Sequence, residues 1–213
     1  MSIIKSLQNE VGKDKYVVLD LDDTCIHSLV NKKEAKKWKT DPERKKHVDK
    51  FKWHNMDDYY LVCERPDLQP FLDYLFENFN VIVWTAASKD YALFIIKNAL
   101  IAGRANRQLR YIFFDYHCEI SQEVYKHDNE PQKSLKLLCE NGPFGLPGIK
   151  PENIVLIDDL QDNKDANGNN TIQIFPFKVH GIGSDKDNHL MSVVKDQLDK
   201  FLVDGMTPDK ISV

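Results

Sequence analysis

The sequence predicts an α/β fold, a parallel sheet with helices on both faces. Short apolar runs of strand length alternate along the chain with segments of helical periodicity, which is the pattern of a parallel sheet covered on both sides. Three of the apolar runs end in polar or acidic residues, and ligands in such sheets bind beyond the carboxyl ends of the strands. The chain has 213 residues, of which 42% are hydrophobic and 29% charged. That is enough for one sizeable core, and a single domain spanning 1–213 is expected.

Taken in order, Tyr16 to Asp20, Asn80 to Trp84, Tyr111 to Phe114 and Asn153 to Asp158 read as buried strands, with Thr171 to Phe175 a weaker fifth. Leu68, Phe71, Leu72, Leu75, Phe76 and Phe79 recur at spacings of three and four and make one apolar helical stripe. Ser88 is placed to cap a helix whose run Tyr91 to Ile96 is apolar nearly all round. Pro131 opens an expected third helix through Leu135 and Leu138, closed by Asn141-Gly142-Pro143. Leu190, Val194, Leu198, Phe201 and Leu202 line one side of a last helix.

Composition excludes several classes. Met1 to Glu10 holds no long apolar region of the signal-peptide kind, and no run approaches the roughly 18 apolar residues of a membrane span. Cytoplasm or nucleus is the expected location, with no membrane partner. Cys25, Cys63, Cys118 and Cys139 are widely spaced without a C-x-x-C pair, so neither a disulfide framework nor a structural zinc site is expected. Cys25 reads as a small apolar filler. Asn163 to Gly168 has the oxygen-rich look of a calcium loop, but Asn163 opens it and Ile174 stands where a glutamate is needed. An Asx/Gly turn is the expectation there.

The most informative stretch is Asp20-Leu21-Asp22-Asp23-Thr24, directly behind Tyr16-Val17-Val18-Leu19. If the strand continued, Asp20 and Asp22 would share one face with Cα atoms roughly 7 Å apart. Two such carboxylates repel unless a cation lies between them or one keeps its proton. That suits a nucleophile, an acid/base and a divalent metal at one point, whereas the plain alternative is an acidic loop after a buried strand. A chance acidic loop accounts poorly for three polar strand ends: Asp20 and Asp22, Trp84 to Ser88, and Asp158-Asp159.

Asp20-Leu21-Asp22-Asp23-Thr24-Cys25-Ile26-His27-Ser28 resembles the first motif of the haloacid-dehalogenase superfamily, in the form found in RNA polymerase II C-terminal-domain phosphatases and NLI-interacting-factor-like proteins. Glu64-Arg65-Pro66, Val83-Trp84-Thr85-Ala86, Lys133-Ser134-Leu135 and Ile157-Asp158-Asp159 follow in that family's order, so the resemblance runs from about Tyr16 to Thr171. It implies a Rossmann-like sheet and a Mg²⁺-dependent phosphomonoester hydrolase, with a phosphoserine/phosphothreonine protein as substrate. Asp20 is then the nucleophile and forms an aspartyl-phosphate, while Asp22 is the acid and base. Mg²⁺ falls to Asp20, Asp22 (through its main-chain carbonyl), Asp158 and Asp159. Thr24, Thr85, Lys133 and Arg65 are the candidates for the substrate phosphate. Taken singly, Thr85 could as well start a helix, Lys133 could be a solvated lysine with Lys136 as the true partner, and Arg65 a surface arginine. His27 reads as a hydrogen-bonded structural residue. Two departures stand out: Asp159 occupies a position often filled by Asn, and the segment after Ser28 is long and basic.

Residues 31–52 carry ten Lys or Arg against four Asp or Glu, a balance of +6 in a chain of net charge −4. An insertion over about 29–64 therefore replaces a large cap. It is either a solvated mixed-charge helix or a surface for an anionic partner, such as a phosphorylated peptide, an acidic protein or nucleic acid. Phe51, Trp53, Tyr59 and Tyr60 suggest a hairpin with aromatic faces, and the resemblance offers Trp53 and Tyr60 for a pocket taking a substrate proline. The absence of a long cap-sized gap favours an extended macromolecular substrate. The competing readings are a nucleic-acid 3′-phosphatase, against which Asp23 stands where such enzymes carry Gly, and a non-catalytic phosphoprotein-binding module of the same fold.

Overall fold

The computed structural model describes residues 13–30, 36–37, 40–125, 133–181 and 183–211. Met1 to Glu10, Lys32-Lys33 and Pro131 lie outside the described residues, as does much of the basic stretch 31–39.

Five strands form one parallel sheet: β1 (Tyr16–Leu19), β5 (Asn80–Trp84), β6 (Tyr111–Phe113), β7 (Ile154–Asp158) and β8 (Thr171–Gln173), in the order β6-β5-β1-β7-β8. Between β1 and β5 the chain builds a second sheet from β2 (Ile26–Val30), β3 (Trp53–Met56) and β4 (Tyr60–Glu64), antiparallel in the order β2-β4-β3. The helices are α1 (Pro42–Val48), α2 (Leu68–Asn78), α3 (Lys89–Ile95, continued as a π turn over Ile96–Ile101), α4 (Asp115–Val124), α5 (Gln161–Asn167) and α6 (Lys195–Asp204), the last preceded by a π turn over Leu190–Val194.

Side-chain alternation along the parallel strands explains why helices cover both faces. Val17, Leu19, Val81, Val83, Val155 and Ile157 face α2, α3 and α6 in one apolar cluster. Tyr16, Val18, Ile82, Trp84, Ile154 and Leu156 face the opposite way, against α4 and the segment Leu135 to Cys139. The expected helix through Leu135 and Leu138 is absent: only Leu135–Leu137 winds, as a single 3₁₀ turn. Three successive amide groups there, of Lys133, Ser134 and Leu135, are bonded instead to the side chains of Asn163, Ser121 and Asn167. One helix not expected from the sequence is α4, of which only Cys118 and Ser121 are fully buried. Ser88 takes the cap position of α3 without a side-chain capping bond, and Leu93 in that apolar run is exposed.

The second sheet divides its faces between two cores. Ile26 and Val62 join the main cluster, whereas Leu29, Leu61 and Cys63 pack with Val48, Phe177 and Val179. Trp53 lies opposite Cys63 and its indole N–H donates to the Val48 carbonyl at 2.8 Å. Tyr60 lies opposite Met56, an odd number of positions along, and packs toward the main core. The two aromatics expected to share a pocket therefore stand on opposite faces. The cause is the loop: Asp57 and Asp58 adopt φ of 49° and 57° in a turn closed by Tyr59 N–H to Met56 O at 2.8 Å, and Tyr59 is one residue more than a two-residue hairpin needs. One extra residue reverses every side chain beyond it.

Candidate active site

The sheet order places a switch point beside β1, where the chain turns to one side for β5 and β6 and to the other for β7 and β8. Leu19 is level with Val83 on one neighbour and Ile157 on the other. One residue further along each strand come Asp20, Trp84 and Asp158, so three strand ends meet at one edge. β1 stops at Leu19, and Asp20 makes one more sheet bond, its N–H donating to Ile157 O at 3.1 Å. The chain then turns sharply: Cys25 and Ile26 N–H groups both donate to Leu21 O, and Asp23 sits at φ 58°. Asp20 and Asp22 thus lie on a loop and not on one strand face, which corrects the strand-based spacing.

Asp20 and Asp158 are buried, and carboxylate oxygens of Asp20, Asp158 and Asp159 all come within 4.8 Å of one another. Lys133, itself buried, bonds to Asp20 Oδ1 and, at 2.7 Å, to Asp158 Oδ2. An ammonium carries three protons, so two hold carboxylates and one remains. Lys136 is not the partner. Burial raises the Asp20 pKa to about 8, Lys133 opposing the rise and Asp158 adding to it. Burial disfavours the charge on Lys133 as well, but the two carboxylates outweigh it and raise that pKa too. Of the two, the lysine keeps the proton, since only the ammonium can satisfy Asp20 and Asp158 together. Burial, then Asp158, lift Asp159 to about 6.

Asp22 is half-buried, and burial raises its pKa against a hydrogen bond from Tyr91 that lowers it. An upward shift is the direction an acid needs. Thr85 is buried at the end of β5, and its hydroxyl oxygen accepts from Ala87 N–H at 3.1 Å, a bond that spends a lone pair and not the proton. Thr24 is buried and turns its hydroxyl to Asp159 Oδ1 at 3.4 Å. Arg65 is not a surface arginine. It is 2% exposed, donating to the Thr24 carbonyl at 3.0 Å and to Asp187 at 2.8 Å, with its guanidinium over Phe177. It braces the loop from behind. His27 bonds Asp23 at 2.7 Å, as a structural residue should. Burial works to raise Asp23, but His27 and Lys178 outweigh it and hold it low. The Cys25 thiol is fully buried and pushed up by burial, an inert filler.

Sequence reasoning missed the residues that hold Lys133. Asn163 and Asn167, one turn apart on α5, are buried. Asn163 Oδ1 accepts from Lys133 N–H at 3.1 Å, and Asn167 accepts from Leu135 N–H and donates to Lys133 O, both at 2.8 Å. The stretch expected to be an Asx/Gly turn is this helix, with Gly168 at φ 56° ending it. The signal available was two asparagines at i, i+4 on a helix, which a polar run conceals.

Carboxylates at a switch point are thus bridged by one buried lysine, with Thr24 bonded to Asp159 beside them. A sequence profile of the NLI interacting factor-like phosphatases matches residues 15–205, and the chain belongs to that family; it is a phosphatase. It is 41% identical over 190 residues to the CTD phosphatase-like protein 355R of Invertebrate iridescent virus 6, covering 88% of this chain and 99% of that one. The 355R protein of Invertebrate iridescent virus 3 is 35% identical over 192 residues, covering 87% and 96%. Among solved structures, fission yeast RNA polymerase II CTD phosphatase Fcp1, bound to beryllium fluoride, superposes with a TM-score of 0.55 at 21% identity, covering 93% of this chain and 53% of that one. A second Fcp1 structure gives 0.52 at 19% identity, covering 99% and 62%. The chain thus spans between half and two thirds of these solved chains, and the likeness to them concerns the fold.

Proposed function

We propose that the chain is a Mg²⁺-dependent phosphoserine/phosphothreonine protein phosphatase that works through an aspartyl-phosphate on Asp20. The observation that carries this reading is the buried Lys133 joining Asp20 to Asp158 with Asp159 beside them. An Asp20 oxygen attacks phosphorus, and the bond to the substrate oxygen breaks with its electron pair leaving on that oxygen. Asp22 protonates it, then takes a proton from the water that splits the aspartyl-phosphate. Lys133 and Thr85 hold the phosphoryl oxygens as charge shifts among them; Thr24 steadies Asp159.

The residues fit a hard divalent cation. Three clustered carboxylates outnumber the one ammonium among them, and every donor is oxygen. Asp20, Asp158 and Asp159, with the Asp22 carbonyl, would hold it. When bound, Mg²⁺ supplies positive charge against the phosphoryl oxygens.

A protein substrate is supported by the CTD phosphatase-like relatives and by the cover between β1 and β5, which among the described residues is no larger than the small second sheet and α1. An anionic partner at 31–52 remains part of this reading, with Lys50 and Lys52 already paired to Asp185 and Glu64. A cytoplasmic or nuclear site of action fits such a substrate.

The test is hydrolysis of para-nitrophenyl phosphate with Mg²⁺ and with EDTA, by wild type and Asp20→Asn. Activity that needs both, falling at least about 10³-fold in the variant, supports the reading; full activity in Asp20→Asn overturns it. Phosphopeptides should then outrun a 3′-phosphorylated oligonucleotide, and the reverse order would make the chain a nucleic-acid phosphatase. Tight phosphopeptide binding without turnover would make it a binding module.

A further inference from the structure

Ser28 closes the first motif, and nothing in the phosphoryl-transfer chemistry above uses it. On β2 it stands opposite Val62, on the face turned to the main core. There its hydroxyl meets the phenol oxygen of Tyr91, in the first turn of α3. The same phenol donates to Asp22 Oδ1 at 2.5 Å. The Tyr91 ring is 7% exposed and is held edge-on by Tyr60 at 4.9 Å, with Tyr59 edge-on to Tyr60 at 4.8 Å. Two elements from different parts of the chain, β2 and α3, therefore meet at one phenol oxygen, and that phenol reaches one oxygen of the Asp22 carboxyl.

A buried phenol hydroxyl must be bonded or it destabilises the fold, but it need not be bonded to the acid. A Tyr91 hydroxyl bonded to Ser28 alone would satisfy it. A phenol carries one hydroxyl proton, and here that proton points to Asp22 Oδ1. Its bond to Oδ1 commits that oxygen and fixes the rotation of the carboxyl about its own axis, leaving Oδ2 as the atom that carries and delivers the proton.

We propose that Tyr91, steadied by Ser28, is a positioning residue that fixes Asp22 with Oδ2 toward the leaving oxygen. The inference rests on the reading of Asp22 as acid and base. In the first step the Asp20 O–P bond forms and the P–O bond to the leaving group breaks, its pair staying on the leaving oxygen. The Asp22 Oδ2 proton goes to that oxygen. In the second step, water oxygen bonds to phosphorus, the Asp20 O–P bond breaks with its pair returning to Asp20, and a water proton returns to Oδ2.

A misoriented acid matters most where the leaving group most needs a proton. The experiment measures kcat/KM for the purified full chain with Mg²⁺ on para-nitrophenyl, phenyl and alkyl phosphates. That constant ends at departure of the leaving group and is blind to hydrolysis of the aspartyl-phosphate. Wild type should vary little across the series, and Asp22→Asn should fall steeply toward the alkyl ester. Tyr91→Phe, which keeps the ring packed on Tyr60, should lose about tenfold on the alkyl ester and less than about twofold on para-nitrophenyl phosphate. Ser28→Ala should bend the series the same way by about threefold at most. Equal loss across the series in Tyr91→Phe, or none, overturns the inference while leaving Asp22 as the acid. A flat series in Asp22→Asn overturns the acid/base reading itself, and the positioning role falls with it.

Discussion

One close lysine–aspartate pair stands at the carboxyl end of the parallel sheet and another joins the turn before β3 to a 3₁₀ turn over Ser184–Lys186, and the two pairs are nearly equal in length and opposite in meaning. Lys133 meets Asp158 at 2.7 Å with both side chains buried. Lys50 meets Asp185 at 2.6 Å, but the lysine is 53% exposed. Water screens the second pair and leaves it worth little. The first has no water to fall back on, so its loss strands two carboxylates in the interior. Distance does not rank these contacts; burial does. The catalytic edge is held in tension by design of its burial, and the accessory sheet is held mainly by where its apolar side chains go.

Removing each lysine is the widest way to test that contrast. Lys133→Met should lower stability by about 3 kcal/mol, and the loss should shrink at low pH, where Asp20 can take up a proton instead. Lys50→Ala should change it by less than about 0.5 kcal/mol. Urea unfolding of both variants measures this. Equal effects would mean that burial does not separate the two regions.

A smaller effect isolates the carboxylate cluster from the lysine. The folded pKa of Asp159, about 6, lies above its ordinary 3.8. The folded chain therefore binds this proton more tightly than the unfolded chain does, and that stabilisation is complete below about pH 4 and lost as pH rises through about 6. In EDTA, stability should fall by about 1 kcal/mol across that window, the half-exposed carboxyl being partly screened. Added Mg²⁺ should raise Tm more at pH 7 than at pH 5. A Tm gain independent of pH would show that the cation does not sit among these acids.

The same contrast explains what could be read from the sequence. Val17 to Leu19, Val81 to Trp84 and Ile154 to Ile157 are buried on both faces and so appear as unbroken apolar runs. Asp20 and Asp158 were legible because a carboxylate just after such a run has few structural reasons to be there. Strand ends were overestimated by one residue at Asp20 and Phe114 and by two at Phe175, where the chain leaves the sheet. Lys133 was legible only by its order among the motifs; its support by Asn163 and Asn167 was not, because buried asparagines and solvated ones look alike in sequence. The bracing contacts of Arg65 were hidden for the same reason: nothing beside Pro66 announces that Asp187, far along the chain, is a partner. In the accessory sheet a two-residue hairpin would have put Trp53 and Tyr60 on one face, and the single added residue Tyr59 put them on two. Parallel strands forgive a miscount of one; an antiparallel strand with two different cores does not.

That hairpin also holds the gentlest test, because its irregularity resides in the backbone and not in a charge. Asp57 carries φ of 49°, in the left-handed region that costs an L-residue and costs glycine nothing. Aspartate tolerates it better than most, and glycine gives the unfolded chain more freedom to lose. The two effects nearly cancel, so Asp57→Gly should stabilise by only about 0.5 kcal/mol. Turnover of para-nitrophenyl phosphate should be unchanged, since the loop tip touches none of the residues gathered at the ends of β1, β5 and β7. A drop in turnover would tie the loop to the catalytic edge through the Tyr59–Tyr60–Tyr91 contacts, and the separation between the two regions would then be one of stability and not of function.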